Sequence, residues 1–521
     1  MSDLHDHETV EEVWRRAVMT HPEAPFLCVP RGQSRTYLRE GLELTYAGAE
    51  HEVDRLAEGY RASGLGLGHR VALLLDNRPE HVLHRLALSR IGASTVPINP
   101  DYRPAEIAYL VTHSEPEHVL ALAAREAQVG DGVRASGQNV PIRILEEGAN
   151  PPAARRKPGS GPVTPATEGQ ILYTSGTTGR PKGCILSQGY EVASGVWYAR
   201  MPGRGGLRPL ADRIYNPLPL YHVNAGVVSL LGAIHTGSCQ ILPDRFHPER
   251  WWPEVRETGA TIVHYLGVVV QMLMKREPAP DDRHHGVRFA FGAGVEPELH
   301  AAFEARFGIP LVEVWGMTEM VRVLADAVEP RQVGTRAFGR PREGLEVRVV
   351  DDAGREARRG EPGEMTLRHS AATPRRGAFS GYLKNAEETE RAWRGGWFHT
   401  GDVVRQDADG MLHFVERRKN IIRRSGENIA AAEVEATLLL DAAVLQVAVL
   451  AVPDEVREEE VLACIVLKEG RPDEAMARRL FEHCNARLAY FKAPGWIWFA
   501  DRLPTTGTQK IQKHAIFPEH A

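Results

Sequence analysis

Residues 173–183 read Tyr173-Thr174-Ser175-Gly176-Thr177-Thr178-Gly179-Arg180-Pro181-Lys182-Gly183 and continue the apolar stretch Ile171-Leu172-Tyr173. A strand that empties into such a run has to end where its loop can meet a ligand. The glycines let the backbone approach an anion, Thr174, Ser175, Thr177 and Thr178 can donate to phosphate oxygens, and Lys182 adds a compact positive charge. The run reads as a phosphate loop. It is not a Walker A loop, which needs Gly before its Lys and Ser or Thr after it, whereas Lys182 lies between Pro181 and Gly183. Loops rich in Ser, Thr and Gly usually do no more than cross a surface. Here three requirements of a triphosphate site coincide in one short segment.

The chain around this loop alternates short apolar runs with helix-length segments. Arg70-Val71-Ala72-Leu73-Leu74-Leu75 ends in Asp76-Asn77, a helical pattern covers residues 81–87, and a second apolar run covers 93–98. The rhythm returns near Ile241, at 262–266 and at 311–314, which predicts parallel βα units. Residues 153–167, rich in Pro, Gly, Ala and Arg, read as a loop. Beyond Gly339 the texture changes: 345–350 alternate with period 2 and meet the turn 351–354, so hairpins are expected. Helices over 432–440 and 473–488 and strands over 444–452 and 461–467 outline a small α+β unit of the kind that moves as a lid.

A length of 521 residues exceeds one ordinary core. The expected fold is α/β: a large N-terminal domain of βα layers with a small β-barrel-like subdomain, and a small mobile α+β C-terminal domain. Lys and Arg number 63 against 68 Asp and Glu, a net charge of -5 without a basic footprint, so no nucleic-acid partner is expected. Five scattered cysteines with no CxxC pair read as reduced thiols. The acidic, polar start lacks the pattern of a secretory signal, and no run of about eighteen apolar residues appears. A cytoplasmic protein without an integral membrane segment is expected.

Further motifs follow in order. They are Pro217-Leu218-Pro219-Leu220-Tyr221-His222-Val223-Asn224, Phe291-Gly292-Ala293-Gly294-Val295-Glu296-Pro297, Val314-Trp315-Gly316-Met317-Thr318-Glu319, His399-Thr400-Gly401-Asp402, Val415-Glu416-Arg417-Arg418-Lys419-Asn420, Arg423-Arg424-Ser425-Gly426-Glu427-Asn428-Ile429 and Pro504-Thr505-Thr506-Gly507-Thr508-Gln509-Lys510. With the phosphate loop, this set resembles the adenylate-forming superfamily of acyl-CoA synthetases, peptide-synthetase adenylation domains and luciferases, and within it the acid:CoA ligase branch.

The resemblance implies a site. Thr174, Ser175, Gly176, Thr177, Thr178 and Lys182 would hold the phosphates, and Gly294, Val295 and Glu296 would line the adenine. Trp315, standing where Tyr is commoner, would stack on the base beside Gly316 and Met317. Thr318 would meet the α-phosphate, Glu319 would hold Mg2+, Asp402 the ribose hydroxyls, and Arg417 the ribose or phosphate end. Lys510 would be the catalytic lysine, although Gln509 replaces the usual Gly before it and Glu416 departs from the usual residue before Arg417. Lys419 falls on the hinge, dividing an adenylation core (1–417) from a lid (418–521). Ser425, Gly426 and Glu427 would form the thioester loop beside the pantetheine arm of coenzyme A. His222, near the carboxylate, with Val223, Asn224, Tyr265, Gly267, Gly292, Trp315 and Met317 would make the acyl pocket.

The implied activity is ATP-dependent ligation of a carboxylic acid to CoA through an acyl-AMP. Attack of a carboxylate on the α-phosphorus has to overcome repulsion between anions, so charge neutralisation by Lys510, the phosphate loop and Mg2+ explains why such parts recur. The polar and aromatic pocket favours a small or medium acid. The stretch 423–429 also resembles ligases assigned to crotonobetaine or carnitine. The rivals are an adenylation enzyme that loads a carrier protein, disfavoured by the end at Ala521 without a carrier module, a luciferase-like oxygenase, and a degenerate nucleotide sensor, which would have lost Glu319 or Lys510. The expected partners are a small acid, ATP and CoA, and a homodimer is compatible with the resemblance.

Overall fold

The computed structural model describes residues 5–32, 35–174, 180–351, 353–417, 421–504, 511, 513, 516 and 517, the side chains of 321, 416 and 417 excepted. Ser175, Gly176, Thr177, Thr178, Lys419 and Lys510 lie outside the described residues, as does the side chain of Arg417.

Two large sheets and two smaller ones organise the chain. A seven-stranded sheet carries Arg70–Leu74, Ser94–Pro97, His118–Ala121 and Ile142–Ile144 in parallel, with Glu168–Thr174 joining beside Ser94–Pro97. An eight-stranded sheet carries Arg213–Tyr215, Ile262–Leu266, Phe289–Ala293 and Leu311–Met317 in parallel. These strands are short, apolar and almost wholly buried because helices cover the sheets, the condition under which parallel strands lose their polar alternation. The largest core lies between the two sheets, around the helices Val10–Thr20, Tyr46–Ala62, Pro79–Arg90 and Gln188–Ala199.

The expected hairpin region is a five-stranded antiparallel sheet that includes Glu346–Val350, Pro362–Arg368, Phe398–Gln406 and Leu412–Arg417. The C-terminal α+β unit is a separate five-stranded sheet with the helices Ala431–Leu438 and Glu474–Asn485 on one face. Its first two strands, Ile421–Arg424 and Glu427–Ala430, are a hairpin where the sequence suggested a loop. Ser425 and Gly426 close it with φ of 51° and 88°, the positive values that a tight two-residue turn demands.

The parallel strands of the eight-stranded sheet end at Leu266, Ala293 and Met317, and their carboxyl ends border one crevice, the usual place for a ligand in an open α/β sheet. Close approach at this edge requires glycine: a Cβ on Gly267 would stand 1.9 Å from the Gly294 carbonyl oxygen.

Candidate active site

Two connected clefts of about 1010 and 1260 Å3 open at these strand ends and share Val223, Asn224, Leu266, Gly316, Met317 and Gly426. The first collects residues that are far apart in sequence: Thr174 and Lys182 flanking the phosphate loop, Thr318, Glu319 and Asp402, His222, and Ser425, Gly426 and Glu427 from the C-terminal hairpin. The second holds Gly292, Gly294, Val295, Glu296, Trp315 and Tyr265. Gly267 borders neither cleft and packs beneath Gly294. Tyr265 is a pillar more than a polar wall, since its hydroxyl donates to Glu313 at 2.6 Å in the core.

The walls around Asp402, Thr318 and Glu319 are held by bonds between elements. Trp315 donates its indole N–H to Asp402 Oδ2 at 2.8 Å. Asp402 pairs across the antiparallel ladder with Arg417, so the two positions are neighbours by register. Glu364 fixes the turn leading to Asp402 by accepting from the Gly401 N–H at 3.1 Å and meeting His399 Nδ1 at 3.0 Å. Tyr190 donates to the Thr318 carbonyl at 2.6 Å, and Tyr382 donates to Glu319 Oε1 at 2.7 Å. Burial, with Glu319 adjacent, pushes the Tyr382 phenol far above its ordinary range, so it remains a donor. Lys182 lies 4.8 Å over the Tyr382 ring and is ion-paired with Glu388.

Among the described residues, no group of three or more His, Cys, Asp or Glu is arranged to hold a metal. Mg2+ usually takes one or two protein carboxylates and completes its shell with phosphate oxygens and water. Glu319, with one oxygen tied to a neutral phenol inside a cleft that also holds Thr318, fits that pattern.

The C-terminal unit is docked onto these clefts. Glu427 accepts from Tyr221 at 3.1 Å and lies 3.5 Å from His222 Nε2, so His222 faces the hairpin. Gly426 packs so tightly that an added Cβ would lie 2.2 Å from Leu266 Cδ1. Beneath the hairpin, Lys492 joins Glu106 of the N-terminal region at 2.6 Å and Glu433 of its own unit at 2.9 Å, all three buried. Burial works against the Lys492 ammonium, but Glu433 and Glu106 outweigh it and raise its pKa well above the ordinary lysine value. Ile511 and Lys513, on either side of position 512, border neither cleft. Ile511 packs with Ala448, Cys464 and Val466, and Lys513 pairs with Glu435 at 2.6 Å.

Residues 14–383 match the family model of the AMP-binding enzyme, and 433–510 match that of the AMP-binding enzyme C-terminal domain. The chain belongs to the AMP-binding enzyme family. This AMP-binding enzyme is 32% identical over 509 residues to a sulfoacetate–CoA ligase of Cupriavidus necator, covering 94% of each chain. It is 29% identical over 487 residues to a crotonobetaine/carnitine–CoA ligase of Salmonella arizonae, covering 90% of this chain and 92% of that one. Its fold superposes with a TM-score of 0.82, at 23% identity and 97% and 98% coverage, on a variant o-succinylbenzoate CoA synthetase from Bacillus subtilis bound with a product analogue.

Sequence reasoning assigned no role to Tyr382, Glu388, Tyr190, Glu364, Glu106, Glu433 or Lys492 of this AMP-binding enzyme. Tyr382 lies 17 positions before the motif His399-Thr400-Gly401-Asp402 and outside it. The pairing of Glu106 with Lys492 spans 386 positions and leaves no local pattern.

Proposed function

We propose that this enzyme is an ATP-dependent carboxylic acid:CoA ligase working through an acyl-adenylate. Acid and ATP give acyl-AMP and pyrophosphate, and CoA then displaces AMP to form the thioester. The observation that carries this reading is the meeting, in one cleft, of Thr174, Lys182, Thr318, Glu319 and Asp402 with the hairpin residues Ser425, Gly426 and Glu427. The first group suits a nucleotide triphosphate and the second a thiol arm entering from the other unit. The kinship with CoA ligases of sulfoacetate and of crotonobetaine or carnitine supports CoA as the acceptor.

In the first half-reaction Lys182 and the hydroxyls of residues 174–178 hold the phosphates, Trp315 lies against the adenine, and Asp402 takes the ribose hydroxyls beside Arg417. Glu319 would hold Mg2+, which neutralises phosphate charge. Glu388 must yield Lys182 to the phosphates, because one ammonium cannot serve both fully at close range. Lys510 supplies positive charge to the attacking carboxylate and the departing pyrophosphate, an effect comparable to the roughly 3 to 4 kcal/mol of a single oxyanion donor. No side-chain nucleophile is needed, because the substrate carboxylate attacks the α-phosphorus in line.

The second half-reaction uses the lid. We divide the chain into an adenylation core, 1–417, and a lid, 418–521, turning at Lys419. The arrangement described, with Gly426 against Leu266 and Ile511 and Lys513 away from both clefts, suits thioester formation. Adenylation then needs the lid turned to bring Lys510 to the phosphates. The acid is of small or medium size. No helix among the described residues is long and apolar enough to cross a membrane, and five buried free cysteines support a reducing, cytoplasmic setting.

The test is a panel of acids scored for pyrophosphate release with and without CoA and with a phosphopantetheinyl carrier protein in its place. Acid-dependent release that CoA accelerates with thioester formation is expected. Turnover with the carrier protein alone overturns the CoA assignment.

A further inference from the structure

Asn224 stands in the wall shared by the two clefts, half-buried, at the start of the π-helical turn Asn224–Ser229. Such turns are rare and frequently mark functional sites. Its side-chain oxygen is doubly engaged: Asn216 Nδ2 donates to Oδ1 at 2.9 Å, and His264 Nδ1 lies 2.8 Å from the same atom. Among the described residues its amide nitrogen has no hydrogen-bond partner.

The orientation of that amide follows from the groups behind it. Asn216 cannot be reversed, because its own Oδ1 accepts from the Leu218 N–H at 3.1 Å. Its Nδ2 donates to the Ser229 hydroxyl at 3.0 Å and to Asn224 Oδ1 at 2.9 Å, and a reversed Asn224 amide would set nitrogen against nitrogen there. His264 is fully buried, and burial lowers its pKa to about 3, so the ring is neutral and carries a single N–H. That proton sits on Nδ1, facing the Asn224 oxygen. His264 Nε2 then accepts from the Tyr198 hydroxyl at 3.0 Å, which burial keeps protonated. Each donor meets an acceptor only if the Asn224 Nδ2 faces the clefts.

The nearby apolar wall, Val223, Val228, Phe291 and Met317, offers no charge. Cations elsewhere on the lining of the second cleft are paired or exposed: Arg336 with Glu296 at 2.8 Å, Arg423 with Glu458 at 3.3 Å, and Lys275 exposed. A fixed N–H donor in an uncharged wall selects a neutral acceptor more readily than a second anion, whose desolvation one amide does not offset.

We infer that Asn224 is the specificity-determining residue of the acyl pocket and selects acids that carry a neutral hydrogen-bond acceptor, such as a carbonyl oxygen, on the acyl chain. This rests on the ligase reading of the site. Asn216, His264 and Tyr198 are positioning residues that act through Asn224.

The test compares matched acids in the full-length enzyme. Keto acids with the carbonyl at carbon 4, 5 or 6, and 4-acetylbenzoate, are each set against the isostere in which a methylene group replaces the keto oxygen. Wild-type enzyme should favour at least one keto member by about tenfold or more in kcat/KM, the value of one well-placed hydrogen bond. Asn224→Leu should bring that ratio near one. Asn224→Asp, which keeps an acceptor for Asn216 and His264 but faces the cleft with oxygen, should bring it below one. If the acids are converted to thioesters with no preference for the keto members, or if the preference survives Asn224→Leu, the inference fails and the ligase reading stands. If no acid supports pyrophosphate release or thioester formation, the ligase reading fails and takes the inference with it.

Discussion

The wall behind the proposed acyl pocket and the seam between the body and the proposed lid are both buried and polar, but they are built from opposite materials. The wall joins Tyr198, His264, Asn216 and Asn224 through neutral hydrogen bonds, all from the N-terminal domain. The seam joins Glu106 and Glu433 through Lys492, and Tyr221 and His222 to the Glu427 carboxylate, with charged groups contributed from both units. A neutral network whose inner donors and acceptors are matched keeps its shape whatever the lid does. Buried ions hold firmly while closed, yet water can take them back when the units part, so their net cost of opening is modest. On the proposed two-orientation reading, a ligase that holds one acid while its C-terminal unit turns needs both kinds of contact.

Lys510→Ala separates the two roles of the lid most sharply. Adenylation, read as acid-dependent pyrophosphate release, should fall by about 10^2–10^3-fold or more, by comparison with loss of one oxyanion donor. Thioester formation from supplied acyl-AMP should persist, because the hairpin and seam are untouched. Equal loss of both half-reactions breaks the two-orientation account.

Lys492→Met attacks the seam itself. It leaves Glu106 and Glu433 buried and facing each other, a loss of about 3–5 kcal/mol when one partner of a buried pair is removed. The thioester step should slow far more than adenylation, and adding Glu106→Gln and Glu433→Gln should restore much of it. Gly426→Val is expected to cost less, about 1–3 kcal/mol of backbone strain at a φ of 88°, with the same bias towards the thioester step.

The smallest effect concerns pH. Burial opposes the Glu427 carboxylate, yet His222 and Tyr221 outweigh it and hold its pKa below the ordinary 4.5. A depressed carboxylate pKa favours the docked lid fully above the undocked value and loses that contribution as pH falls through the docked one. Lid docking, followed by energy transfer between dyes on body and lid, should weaken as pH falls below the ordinary carboxylate value of 4.5. Glu427→Gln should remove that acid limb.

Much of the fold was legible because its strands are apolar runs bounded by turns: Arg70–Leu74, Ser94–Pro97 and Ile262–Leu266 fall where the alternation with helical segments puts them. The hairpin Ile421–Arg424 with Glu427–Ala430 did not read as paired strands, because Arg423, Arg424, Glu427 and Asn428 mask any alternation and only Ser425-Gly426 signals the turn. Of the candidate site, the gathering of Lys182, Glu319 and Asp402 followed from motif order. The bond from Trp315 to Asp402 did not, since it depends on two strands from different sheets meeting. Asn224 was named as pocket wall, but the direction of its amide is set by Asn216 and His264, which only the folded chain brings beside it.

An acyl-AMP intermediate leaves its mark on the oxygen of the acid. With the substrate carboxylate labelled with heavy oxygen, one turnover through acyl-AMP transfers a label atom to the phosphate of AMP, since thiol attack cleaves the acyl carbon–oxygen bond and leaves that oxygen on phosphorus. Mass spectrometry should find a single label in AMP, unlabelled pyrophosphate, and the thioester carrying the other oxygen. Unlabelled AMP, or label in inorganic phosphate with release of ADP, would contradict the account.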